Sequence, residues 1–376
     1  MTETTGKGTD ETSLKEAPLL WIKGFLMGSA DIVPGVSGGT MALILGIYAR
    51  LLNAIKSVNG PFLKALFTFK IKAAFQELHL KFLVFLFLGI FTALGFFTKV
   101  VPLQVYMFTH PEIVFGLFFG LIVGSIYILY KALEQKRWKE WGMLFLGIFV
   151  GLWIVSLVPA DTPDHPAFVF LSGAIAICAM ILPGISGSYL LLIMRKYDYL
   201  LSHIGMIGGV ETMDGIVGLL PFFAGAIIGL AAFSRFLSWL LNRYHSQTLS
   251  LLIGFLIGSL FVIWPYQQRE YVEQIREVEE LPLDDELVLQ LQREGVNENL
   301  PEYKRLGDVI NPDATFDEFK RIEVETVKKK MLKSNPYMPD LQKAKKEGVN
   351  FWGGIAGILI GMVLVGGLDL LRNKSV

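Results

Sequence analysis

Pro34-Gly35-Val36-Ser37-Gly38-Gly39 and Pro183-Gly184-Ile185-Ser186-Gly187-Ser188 each cut an apolar segment, residues 19–48 and 167–194, near its centre. Proline and glycine at such positions end a helix. An unpaired backbone amide is costly in hydrocarbon, so a non-helical stretch at membrane depth survives only packed inside protein or lining a wet cavity. The two breaks are copies of one another. A shift of 149 positions superposes Gly24 on Gly173, Ala30 on Ala179, Pro34-Gly35 on Pro183-Gly184, Ser37-Gly38 on Ser186-Gly187, Tyr48 on Tyr197 and Leu51-Leu52 on Leu200-Leu201. Farther on, a shift of 134 places Gly95 on Gly229, and Gly120, Gly124 and Ser125 on Gly254, Gly258 and Ser259.

Six uninterrupted apolar stretches accompany the breaks: residues 82–101, 112–130, 141–159, 217–241, 248–266 and 352–371. About 20 residues at 1.5 Å rise cross a hydrocarbon core of about 30 Å. Each half is then one broken segment followed by three spans, and the last span of each carries a Gly-xxx-Gly spacing (Gly147 and Gly151; Gly357 and Gly361) that lets helices approach closely. The fold class this predicts is an all-α integral membrane protein built as an inverted repeat, each half one re-entrant helical hairpin plus three transmembrane helices. The units are a polar tail (1–17), repeat 1 (18–160), the first part of repeat 2 (161–266), a charged soluble insertion (267–350), and the last span with a short C-terminal tail (351–376).

Composition agrees with a membrane body. Of 376 residues 53% are apolar and 18% charged, against about 25% charged in an average soluble domain. The net charge of zero is uneven: the tail holds 2 basic and 4 acidic residues, the insertion 14 and 19, and the remaining body 18 and 11. A neutral chain has no global basic field for nucleic acid. The loop 50–81 has six basic residues and one Glu, and 131–140 has four basic and two acidic, so both are expected to be cytoplasmic. The connection 160–166 carries Asp161 and Asp164 with no Lys or Arg and is expected outside. With re-entrant hairpins both termini are cytoplasmic, which suits Arg372 and Lys374, and the insertion is external. If both broken segments crossed fully, the C-terminus would be outside and would break the charge rule. The insertion reads as a solvated helical extension, its runs 283–293 and 316–333 mixing charged and apolar residues.

A helix restarting after a break presents free N–H groups with partial positive charge, and glycine lets an anion approach them. Ser37, Gly38, Gly39 and Thr40 in the first copy and Ser186, Gly187 and Ser188 in the second therefore form a candidate phosphate or carboxylate cradle. Asp31, three residues before Pro34, is either a proton-coupling group or a cap that shapes the break. Arg235 is either a phosphate clamp, since guanidinium holds two phosphate oxygens, or a snorkelling side chain. Arg195 and Lys196 either meet lipid phosphates or anchor the second hairpin. The five His residues show no metal spacing, no Gly-Lys-Ser/Thr loop occurs, and the single Cys178 cannot form an internal disulfide. No cofactor, metal site or catalytic set is expected, and no oligomeric state is specified.

The run Gly28-Ser29-Ala30-Asp31-Ile32-Val33-Pro34-Gly35-Val36-Ser37-Gly38-Gly39-Thr40, with Met180-Ile181-Leu182-Pro183-Gly184-Ile185-Ser186-Gly187-Ser188 and Phe233-Ser234-Arg235, resembles the bacterial polyprenyl-phosphate transporter family. The resemblance covers residues 18–266 and the last span. It implies a flippase in the bacterial inner membrane that returns undecaprenyl phosphate from the outer to the cytoplasmic leaflet, recycling the carrier for peptidoglycan and other envelope polymers. Two departures stand out: the insertion, and Arg195 where the resemblance has Gly in a Gly-Lys-Tyr sequence. A secondary transporter of a small soluble anion and a membrane enzyme acting on lipid phosphates are the alternative readings.

Overall fold

A computed structural model describes residues 12–374 apart from residues 34–36, 59–61, 63, 65–67, 69, 71–78, 158–159, 161, 210, 299, 311–320 and 340–348. The described residues are mostly helical, with one small sheet. Repeat 1 contributes α1 (Ala17–Asp31), α2 (Gly38–Ile44), α3 (Tyr48–Lys56), α4 (Leu80–Lys99), α5 (Leu103–Thr109), α6 (Pro111–Ala132) and α7 (Trp138–Val155). Repeat 2 contributes α8 (Pro166–Ile181), α9 (Gly187–Ile193), α10 (Lys196–Gly205), α11 (Thr212–Arg243) and α12 (His245–Ile263), and after the insertion α14 (Phe351–Lys374).

Five of these, α4, α6, α7, α11 and α12, are long and apolar enough to cross a membrane. Helix α14 carries the shorter apolar stretch Phe351–Gly367, and α8 is a shorter apolar helix. Helices α2 and α3 meet at 119°.

Glycine dictates the packing, because in lipid helices associate through close van der Waals contact rather than through expulsion of water. A Cβ on Gly24 of α1 would overlap the carbonyl of Leu86 in α4, and one on Gly89 the carbonyl of Trp21. Gly173 of α8 stands in the same way against Phe222 of α11, and Gly225 against Phe170. Gly116 and Gly120 of α6 face Gly354 and Ile358 of α14, while Gly147 and Gly151 of α7 face Leu251 and Gly258 of α12. One turn along, Gly28 of α1 meets Ile90 of α4 and Gly229 of α11 meets Ala174 of α8; Leu86 and Ile90 thus follow Gly24 and Gly28, Gly225 and Gly229 follow Phe170 and Ala174, and the other two pairs rise together in the same way, so the paired helices run parallel. Helix α7 thus lies against α12 and α14 against α6, which intertwines the N- and C-terminal halves of the chain.

The insertion folds differently from the helical extension its composition suggested. It is a three-stranded antiparallel sheet, β1 (Gln267–Pro282), β2 (Glu302–Ile310) and β3 (Arg321–Pro336), in the order β1-β3-β2. Helix α13 (Glu286–Glu294), inside the run 283–293 but for its last residue, covers one face by burying Val288 on Ile322 and Val324. The run 316–333 is β3 from Arg321 onward; its first five residues lie outside the described residues. The physical reason is periodicity: Ile322, Val324 and Thr326 alternate with Arg321, Glu323 and Glu325, a period of two rich in β-branched residues.

The sheet is rooted firmly. Trp264 Nε1 donates to the Tyr337 carbonyl at 2.9 Å, Tyr266 hydroxyl to the Phe351 carbonyl at 2.7 Å, and the Tyr271 ring lies 5.0 Å from that of Phe108.

Candidate functional site

The two broken segments meet. Pro34, Gly35 and Val36 of the first tip lie outside the described residues. Ser37 caps α2, its hydroxyl accepting from Gly39 N–H at 3.1 Å and reaching the Met180 carbonyl at 3.4 Å. Asp31 Oδ1 accepts from Gly38 N–H at 2.6 Å, and a Cβ on Gly38 would come within 2.6 Å of Asp31 Oδ2. Thr40 accepts from Gly184 N–H at 2.8 Å, and Tyr48 hydroxyl donates to the Ile181 carbonyl at 3.0 Å. A Cβ on Gly39 would press on the carbonyls of Met180 and Ile181 at 2.9 and 2.6 Å. The first tip therefore caps the carbonyl end of α8, where unpaired acceptors at a helix terminus need partners.

The second tip is more open. Ser186 hydroxyl lies 2.9 Å from that of Ser188 and accepts from Tyr189 N–H at 3.4 Å. Ser188 is exposed and Ser186 half-buried, whereas Ser37, Gly38, Gly39 and Thr40 are all buried. A Cβ on Gly187 would come within 2.5 Å of Met180 Cγ. Met180 is the equivalent of Asp31 under the 149-residue shift, so one contact recurs in both halves with a thioether replacing a carboxylate. Met180 is also where the tips join, its carbonyl against Gly39 and its side chain against Gly187.

Arg195 and Lys196 lie at the end of the second broken segment, between α9 and α10. Arg195 is the one described non-glycine residue with positive φ, at 49°. Its equivalent in repeat 1 is Gly46, at 69°. The left-handed turn explains why glycine is expected there. Lys196 is buried: its Nζ donates to Asp164 Oδ1 at 2.5 Å and to the Thr162 carbonyl at 3.1 Å, and lies 5.5 Å from the Phe168 and Tyr199 ring centres.

Arg235, on α11, donates through Nη1 to the Ala231 carbonyl at 2.6 Å and through Nη2 to the Val58 carbonyl at 3.2 Å. It thus braces the chain just after α3, and these hydrogen bonds do not join it to Ser37 or Ser186. Among the described residues no group of three or more His, Cys, Asp or Glu is placed to hold a metal ion.

The sequence model of the undecaprenyl phosphate translocase-like family matches residues 27–280, a stretch that contains both tips, Lys196 and Arg235. This chain belongs to that family. Two relatives, each named polyprenyl-phosphate transporter, agree with the assignment. One, from Vibrio cholerae serotype O1 (strain ATCC 39315 / El Tor Inaba N16961), is 41% identical over 248 residues, 66% of this chain and 78% of the relative. The other, from Staphylococcus aureus (strain NCTC 8325 / PS 47), is 30% identical over 257 residues, 65% of this chain and 85% of the relative. No solved structure matches the chain.

In this member of the translocase-like family, several residues that shape the site carry no such signal in the sequence. Tyr48 and Tyr197 superpose in the repeat, but only the folded chain shows Tyr48 capping α8. Tyr189 hydroxyl ties α9 to the Val155 carbonyl of α7 at 2.8 Å. Asp164 carries no signal beyond its loop charge, and Met180 emerges only when the repeat is read at the position of Asp31.

Proposed function

We propose that this chain is a flippase that moves polyprenyl phosphate, with undecaprenyl phosphate as substrate, from the outer to the cytoplasmic leaflet of the bacterial inner membrane, as a transporter rather than an enzyme. The observation that carries the reading is the family match over residues 27–280, which includes both broken segments. A lipid phosphate needs its anionic headgroup carried through hydrocarbon while its tail stays in lipid. Paired helix breaks with polar groups near midplane suit that task.

The architecture is an inverted repeat with re-entrant hairpins, and three observations support it. Helix α1 runs parallel to α4, so the chain between them returns to its starting side. Arg50 on α3 bonds Glu16 at 3.1 Å and Thr12 at 2.7 Å before α1, and stacks on Phe82 at the start of α4, 4.8 Å from the ring centre. The parallel pairs α7–α12 and α6–α14 give repeat 2 the directions of repeat 1 reversed. Loop charge then puts both termini inside and the sheet insertion outside.

Ser186, Gly187 and Ser188 meet the phosphate at midplane in this reading. Ser37, Gly38, Gly39 and Thr40 frame the opposite wall, with Asp31 capping their helix. Lys196 and Arg195 lie toward the outside. Arg235, toward the cytoplasm, is the release-side counter-charge, because guanidinium has five N–H donors and two carbonyl bonds leave others for phosphate. A shift of one repeat against the other would expose the headgroup to alternate sides.

The test is translocation of labelled undecaprenyl phosphate in proteoliposomes. Wild type transports the lipid without releasing free phosphate, and inorganic phosphate is not carried in its place. Arg235→Ala folds and loses most transport. Full activity in that variant removes the role given to Arg235, and transport of inorganic phosphate alone replaces the lipid reading with a soluble-anion one.

A further inference from the structure

Lys196 is a charge with an unusual partner. Its side chain is 1% exposed, whereas the side chain of Asp164, its carboxylate partner, is 69% exposed. An ammonium so far from water must keep an anion, because a buried charge that loses its partner is strongly unfavourable. The carboxylate has no such constraint. It sits in a non-helical stretch before α8 and is exposed, so it can leave the ammonium without being stranded in the protein interior. A pair built this way does not open spontaneously, yet it exchanges readily when a second anion arrives to take the ammonium.

The pair also fastens one piece of chain to another. Ala160 N–H donates to the Ile193 carbonyl at 3.0 Å, Thr162 hydroxyl to the Met194 carbonyl, and Lys196 to the Thr162 carbonyl. These bonds hold the stretch before α8 against the left-handed turn at Arg195, which links α9 to α10. That turn is itself strained, since its φ of 49° lies in the left-handed region that a non-glycine residue seldom adopts. Repeat 1 has Ile47 at the position of Lys196, so this fastening belongs to the second hairpin alone.

Resting on the transport reading above, we propose that Lys196 is the group that first takes the phosphate monoester of the lipid on the outer side. Asp164 is the counter-ion that the phosphate displaces. Exchange then frees the stretch around Thr162 and Asp164 from the second hairpin, so arrival of the headgroup loosens the hairpin whose tip carries Ser186 and Ser188. A phosphate monoester suits the position because it is compact and can bear more than one negative charge, so it competes with a carboxylate where a phosphodiester competes poorly.

Hydrogen exchange of the full chain in vesicles, read on the peptide covering residues 160–166, tests the exchange step. Undecaprenyl phosphate is expected to raise exchange there several-fold, with helix α12 unchanged as the report of an intact fold. Asp164→Asn, which removes the competing charge, is expected to show the raised level before lipid is added and to half-saturate at several-fold lower lipid concentration. Asp164→Glu keeps the low level without lipid. Inorganic phosphate alone producing the rise assigns the recognition to the headgroup; a rise with the lipid only assigns it to headgroup and tail together, and both support the site. Vesicles of phosphatidylglycerol alone give no rise, and an equal rise from them overturns the claim of monoester recognition. No response to any phosphate while labelled lipid is still transported overturns the site and leaves the transport reading standing. A response without transport does the reverse.

Discussion

The carboxylate of Asp31 accepts a hydrogen bond from the Gly38 amide at 2.6 Å, across seven positions of chain that include the first break. Met180, 149 positions later, lies against Gly187 in the same relation without the charge. The first restarting helix is thus served by an anion from its own chain, and the second is not. Asp31→Ala leaves the Gly38 amide without its partner and should cost about 1–3 kcal/mol, read as a lower thermal midpoint in detergent. Met180→Asp supplies the missing carboxylate to the second tip and should depress polyprenyl phosphate transport well below that of Met180→Leu. Equal transport in the two variants would remove the idea that an open second tip matters.

Gly120 and Gly95 both lie on apolar helices, but only Gly120 is in contact, its missing Cβ pointing at the Ile358 carbonyl of α14. A methyl group placed on Gly95 would meet nothing within 4 Å. Gly120→Ala should push α6 from α14 and destabilise by about 1–3 kcal/mol, the usual range for overpacking. Gly95→Ala should be neutral or stabilise by up to about 1 kcal/mol through helix propensity. Thermal unfolding of the two variants side by side checks the contrast.

The spans were legible because hydrocarbon thickness sets a length and a composition that few soluble helices share. The breaks were legible because glycine and proline recur at one spacing. Helix pairing was not, since the alignment of Gly24 with Leu86 or Gly120 with Ile358 depends on which faces meet, and small residues mark a face without naming its partner. The β3 strand had a readable signal in Ile322-Glu323-Val324-Glu325-Thr326, but a mixture of charged and apolar residues looks helical when the period is ignored. At the candidate site the polar residues of both tips could be picked out. That Ser37 and Thr40 are spent on Met180 and Gly184 could not, because capping across 143 or 144 positions leaves no local trace.

Tyr303 in the insertion is pushed up to about 12 by burial first and by its hydrogen bond to Glu273 second. Its hydroxyl donates to Glu273 Oε1 at 2.6 Å. An unfolded tyrosine titrates near 10, so the folded state holds this proton more tightly. The contribution to stability is fully present below about pH 10 and is lost as pH rises toward 12. Tyr303→Phe should flatten alkaline unfolding of the sheet over that window, and ultraviolet titration of wild type should show one tyrosine ionising late. A titration in which every tyrosine outside the membrane ionises near 10 would contradict the tight contact.

Arg195 and Gly46 occupy the same place in the two repeats, both with positive φ, at 49° and 69°. The backbone needs the left-handed turn in each, and only glycine takes it without strain. Arg195→Gly should stabilise the chain by about 1 kcal/mol if strain relief exceeds the contacts the arginine makes, while Gly46→Ala should destabilise by about 1–2 kcal/mol. The two changes have opposite signs because they move one residue type in opposite directions at equivalent positions. Transport separates structure from function here. A stabilised Arg195→Gly that carries lipid at the wild-type rate makes the arginine a tolerated substitution, whereas a stabilised variant with slower transport means its charge helps gather the headgroup beside Lys196.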